Sequence, residues 1–102
     1  MDASVQELKE RRSEDRKNYV LLDVREPHER DEDNIGGLHV PLGEISLHLD
    51  KLIPHKDEEV IVYCRSGKRS AMATQLLRQA GFSNVRNLEG GMIAYREIDP
   101  GK

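Results

Sequence analysis

Apolar positions along this chain fall into two kinds of pattern. At residues 19–22 and 60–63 they are continuous, and the second run is rich in β-branched side chains at Val60, Ile61 and Val62. Such runs fit strands buried on both faces, as in a parallel sheet covered by helices. Elsewhere they recur at helical spacing. Ala73, Leu76, Leu77 and Ala80 predict a helix that begins at 68–70 and stops at Gly81. Leu42, Ile45, Leu49 and Leu52 predict another, broken by Pro54. Ser4 and Glu7 have capping-box spacing ahead of a short first helix, with Val5, Leu8 and the stem of Arg12 as its apolar stripe. Residues 10–17 are so polar that they read as a solvated face and linker.

Punctuation between these segments supplies the remaining elements. Pro27 suits the first turn of a helix, with Glu26, Glu29 and Asp31 favourable near its amino end. Gly36 and Gly37 mark a tight passage into a short strand at 38–40, closed by Pro41. Residues 85–88 read as a last short strand, after which Gly90 and Gly91 admit the chain to a final helix over 92–98. Strands alternating with helices predict an α/β domain: a central parallel sheet of four or five strands, helices on both faces and right-handed crossovers.

Composition narrows the class. With 102 residues the chain suits one domain over 1–102. A charged fraction of 34% against 36% hydrophobic implies a well-solvated surface. No apolar run approaches membrane-spanning length, and the start, Met1 to Ser4, has neither a basic nor an apolar signal region, so the expected place is cytoplasmic, away from membranes. A net charge of −3 argues against nucleic-acid binding through a basic surface. One cysteine precludes an internal disulfide and suits a reducing compartment. His28, His39, His48 and His55 have no ligand spacing with it, so neither a metal nor another cofactor is expected, although His39 can approach the crevice at the strand ends.

That cysteine, Cys64, sits where the apolar strand at 60–63 turns toward the next helix. In open α/β sheets the carboxyl ends of strands are where ligands bind, and a helix start offers unpaired N–H groups and positive dipole. Such surroundings lower a thiol's pKa and favour the nucleophilic thiolate. Arg65, Lys68 and Arg69 add three cations within five positions, while Ser66, Gly67 and Ser70 are small enough for the backbone to curl around the sulfur as an anion-holding concavity. Three cations at a helix amino terminus oppose its dipole and cost stability unless an anion sits there, which weighs against an inert buried cysteine. Asp23 and Arg25 end the first strand, either at the rim of the same crevice or as a pair that fixes the loop. The pairing is preferred, because buried charges at strand ends are usually paired.

Four stretches together resemble the single-domain rhodanese-like sulfurtransferases: LLDVRE at 21–26, NIGG at 34–37 leading to VPL at 40–42, CRSGKRS at 64–70, and GFSNVRNLEGG at 81–91. They stand in the family's order and spacing from about Ser4 to Tyr95. Asp33 and Asn34 replace the family's usual glycine-histidine, and Tyr95 its frequent tryptophan; neither departure touches the cysteine loop. The family usually has a strand ahead of the first helix, which is short or missing here. The resemblance implies a rhodanese-like fold and an enzyme that carries sulfane sulfur on Cys64 as a persulfide. Sulfur would come from a small anionic donor, thiosulfate or a persulfide, and pass to a thiol or cyanide, with Arg65, Ser66, Gly67, Lys68, Arg69 and Ser70 holding the donor.

Two other readings compete. The domain can act as a protein-to-protein persulfide carrier, partnered by a sulfur-carrier protein and having little thiosulfate activity. It can also be a cysteine phosphatase or arsenate reductase on a related fold. Those loops need an arginine six positions after the cysteine to clasp phosphoryl oxygens, and that position is Ser70, with Arg69 one residue early.

Overall fold

The structure, a computed structural model, describes residues 2–14 and 18–98. Part of the polar linker expected over 10–17 lies outside the described residues. Four strands, β1 (Val20–Asp23), β2 (Leu38–His39), β3 (Glu59–Tyr63) and β4 (Asn84–Asn87), form one parallel sheet in the order β2-β1-β3-β4. Ahead of the first helix, where a strand is expected to be short or missing, the described residues make a single parallel bridge from Ala3 to Leu88, beside β4.

Among the described residues five α-helices accompany the sheet: α1 (Val5–Arg12), α2 (Pro27–Glu32), α3 (Leu49–Leu52), α4 (Lys68–Gln79) and α5 (Gly91–Glu97). Successive strand residues point to opposite faces, so β3 feeds two cores. Val60 and Val62 pack with Leu52 of α3 and with Ala73 and Leu77 of α4. Ile61 and Tyr63 pack with Leu8 of α1 and with Met92 and Tyr95 of α5. Complete burial of a side chain such as Ile61 or Leu77 contributes about 2 kcal/mol. Both faces being covered accounts for the continuous apolar runs.

Local signals set the helix ends. The Ser4 hydroxyl accepts the Glu7 N–H at 3.0 Å, as a capping serine should. α4 starts at Lys68 and ends at Gln79, with Gly81 just beyond in the left-handed region (φ +99°). Between β2 and β3, however, the single helix expected from Leu42 to Leu52 is broken up. A 3-10 turn at Leu42–Glu44, the four-residue α3 and another 3-10 turn at Ile53–His55 take its place. Ile45 and Leu52 are nevertheless buried against the sheet.

A charge network fixes α1 to the strands beneath it. Arg86 on β4 reaches Glu7 and, at 2.8 Å, Glu59 on β3, while Arg11 of α1 bonds the same Glu59 at 2.7 Å. Among the described residues no helix is long and apolar enough to cross a membrane.

Candidate active site

Cys64 follows the last residue of β3, and its side chain continues the Val60 and Val62 face, directly beneath the start of α4. The chain must then reverse over residues 65–67 to enter α4, and that reversal wraps backbone around the sulfur. Gly67 N–H donates to Sγ at 3.0 Å, Ser70 N–H at 3.4 Å and the Ser70 hydroxyl lies at 3.3 Å. Burial pushes the thiol's pKa up, but the hydroxyl and N–H of Ser70 with the N–H groups of Gly67 and Ser66 outweigh it, and the net direction is down. The concavity expected from the sequence therefore exists, built by hydrogen-bond donors. Cys64 itself is fully buried, so the sulfur rests beneath its loop with no exposed surface.

The other loop residues divide. Ser66 is exposed, while Gly67 and Ser70 are buried. Arg65 and Lys68 are exposed, and their side chains have no partner among the described residues. Arg69 does not turn its fork to a donor site. It makes a two-pronged ion pair with Glu29 of α2, at 2.7 and 2.8 Å, which holds the Glu29 carboxyl down at about 2. Its charge still reaches the sulfur, since Cys64 is among the groups that raise the Arg69 pKa after Glu29.

Two elements hold the loop from below. Met92 N–H donates to Cys64 O at 2.9 Å and Ile93 N–H to Arg65 O at 3.1 Å. These bonds need α5 to approach very closely. Gly91 permits it at φ +56°, because a Cβ there would collide with the carbonyl oxygens of Cys64 and Arg65. From β4, Asn87 Nδ2 donates to Gly67 O at 3.2 Å, and Asn87 Oδ1 accepts a short hydrogen bond from the Ser70 hydroxyl.

Beside the loop opens a cleft of about 450 Å³, lined by Arg25, Arg65 and Arg96, by Glu29, Glu32 and Asp33, and by Met92 and Ile93. Cys64 does not line it. Asp23 and Arg25 are the buried pair that the strand end suggests, joined at 3.0 and 2.9 Å, and Arg25 also reaches Asp33 O at 2.7 Å. Arg25 thus both fixes the loop and faces the cleft. His39 touches Arg25 O through Nε2 at 2.8 Å. The other histidines are exposed or half-buried; His48 and His55 pair with the local acids Glu44 and Glu58.

Asn87, Glu29 and Gly91 belong to this site although the loop motif does not include them. Asn87 had a readable signal: Val85 and Asn87 alternate onto the α4 face, and Asn87 pairs in register with Val62, two residues before Cys64. Glu29 had none, because it meets Arg69 across forty positions of sequence.

A family model for the rhodanese-like domain matches residues 4–98. A sulfurtransferase of Allochromatium vinosum is 40% identical over 82 residues, covering 79% of this chain and 75% of its own. Thiosulfate sulfurtransferase PspE of Escherichia coli is 31% identical over 70 residues, covering 68% of this chain and 67% of its own. The crystal structure of a rhodanese-related protein from Thermoplasma volcanium superposes with a TM-score of 0.82 at 31% identity, over 95% of this chain and 91% of that one.

Proposed function

Since this chain belongs to the rhodanese-like domain family, we propose that it is a sulfurtransferase whose Cys64 takes up sulfane sulfur and hands it on. The observation that carries the reading is the set of donors turned on one sulfur: two N–H groups and a hydroxyl within 3.4 Å of Sγ. An inert buried cysteine gains nothing from such donors, whereas a sulfur that must carry negative charge does.

With thiosulfate, the Cys64 thiolate attacks the outer sulfur. A new S–S bond forms, the old one breaks, and sulfite leaves with the bonding electron pair. The Cys64 persulfide keeps the single negative charge of the original thiolate. Cyanide or a thiolate then attacks the outer persulfide sulfur, leaving as thiocyanate or as a new persulfide, and the Cys64 thiolate is regenerated. The donors that lower the thiol's pKa favour the thiolate, so the step calls on no general base. Splitting the transfer in two implies ping-pong kinetics. Arg65 and Lys68, both exposed and without a side-chain partner among the described residues, are the cations that draw in an anionic donor.

Intact mass after thiosulfate treatment tests this. The protein gains one sulfur atom, cyanide removes it as thiocyanate, and Cys64→Ser neither gains sulfur nor turns over. Sulfur uptake by the serine variant overturns the assignment.

One observation favours a second reading, the protein-to-protein persulfide carrier. Arg69 spends its charge on Glu29, so the loop offers a doubly charged donor fewer free cations than its sequence suggests. Rapid loading from a protein persulfide alongside slow loading from thiosulfate identifies that role.

A further inference from the structure

The Ser70 hydroxyl has a single proton and two neighbours that want it. Cys64 Sγ lies at 3.3 Å, and Asn87 Oδ1 accepts a short hydrogen bond from the same oxygen. Ser70 is fully buried and Asn87 nearly so, so water does not take either partner's place. The carboxamide of Asn87 cannot turn round. Gly67 O is only an acceptor, so the atom facing it at 3.2 Å must be Nδ2, which leaves Oδ1 toward Ser70. Ser70 is the only donor to Oδ1 among the described residues.

We propose that Asn87 is a positioning residue that decides where the Ser70 proton points as Cys64 changes state. While Cys64 is a thiol, its S–H donates to Ser70 Oγ and the hydroxyl donates to Asn87, so every group has a partner. When Cys64 is a thiolate, the proton turns to Sγ, and Asn87 Oδ1 is left without its donor in a buried site. When Cys64 carries a second sulfur, Sγ is neutral and divalent, a poor acceptor, and the proton returns to Asn87.

Asn87 therefore penalises the bare thiolate relative to both the thiol and the loaded persulfide. An unpaired buried carbonyl is costly, and a hydrogen bond to a charged sulfur is worth more than one to a neutral acceptor, so the competition is close. Its consequence for transfer is that the thiolate, which the loop N–H groups favour, is not so well solvated that it loses nucleophilicity. This inference rests on Cys64 being the sulfur acceptor, but its test needs no sulfur donor.

The thiol pKa is read from thiolate ultraviolet absorbance against pH in the wild type, Asn87→Ala, Ser70→Ala and the double variant. Removing Asn87 also frees Gly67 O, which acts on the loop whether or not Ser70 is present. The proton competition is the part that requires both residues. With Ser70 present, Asn87→Ala raises the acid dissociation constant by about tenfold more than it does in the Ser70→Ala background. Asn87→Leu, which keeps the branched shape of the side chain without its polar atoms, gives the same coupling and serves if the alanine variant is poorly folded. Equal effects in the two backgrounds, or coupling of the opposite sign, overturn the proposal. Because only the resting thiol is titrated, that failure is distinct from a failure of sulfur uptake.

Discussion

Replacing Gly91 with alanine strikes the site through its supporting backbone. Two costs add. At φ +56° an alanine sits in the left-handed region, which costs about 1–2 kcal/mol in side-chain-to-backbone repulsion. Its Cβ would also overlap the carbonyl oxygens of Cys64 and Arg65, and these are the acceptors for Met92 N–H at 2.9 Å and Ile93 N–H at 3.1 Å. To relieve the overlap α5 must back away from the loop. Each backbone bond given up costs about 1 kcal/mol net, bringing the loss to about 3–4 kcal/mol. Gly81→Ala is the matched control. Gly81 has φ +99° and open space for 4 Å around where a Cβ would stand, so it bears the backbone penalty alone. Urea denaturation of both variants should therefore differ by about 2 kcal/mol, with little change in the slope. The thiol of Gly91→Ala should also titrate higher than wild type, since the loop that points N–H groups at Sγ has lost two anchors, while that of Gly81→Ala stays put. Equal destabilisation, or an unchanged thiol in a destabilised Gly91→Ala, would refute the idea that α5 sets the loop geometry.

Two further outcomes follow from the charges and the burial. Glu29, held at about 2 instead of 4.5, contributes stability that is complete above its ordinary value and is lost as pH falls through about 2. Glu29→Gln should accordingly lower stability by about 1 kcal/mol near neutral pH, after allowance for solvent screening of a partly exposed pair, and the gap to wild type should close on acidification. A gap that widens in acid contradicts the ion-pair account. Because Cys64 is fully buried, a neutral alkylating reagent should label the folded protein far more slowly than the urea-unfolded chain, despite the lowered pKa; comparable rates would mean that the loop is open at rest.

Much of this was legible in the chain, for reasons that particular residues make clear. The run ending at Tyr63 announced a doubly covered strand because its neighbours on both faces are apolar, and the spacing of Ala73 and Leu77 announced the helix above it. Apolar spacing misled between Leu42 and Leu52. It reports which side faces the sheet, and a series of short turns can keep Ile45 and Leu52 inward as well as one continuous helix can; Leu47, 75% exposed, lies on the side such turns leave outward. The loop cations are plain in the sequence, but charge along a chain is blind to partners distant in sequence, so the neutralisation of Arg69 by Glu29 has no local sign. The lowering of the thiol pKa is legible from the helix start, whose N–H groups, with the Ser70 hydroxyl, outweigh the burial in the folded loop. Asn87, a polar residue in a short strand, looks like an edge position until register puts it under α4.

The bonds from Met92 and Ile93 to the cysteine loop carry a consequence for vectorial synthesis. Cys64 leaves the ribosome well before the amides that hold its carbonyl, and before Asn87, so the nascent thiol has ordinary acidity. Only when residues up to 93 are out and α5 has docked does the sulfur acquire its special chemistry. A half-made chain thus has no cup of N–H groups around its sulfur, and that cup forms only once the whole domain has closed over it.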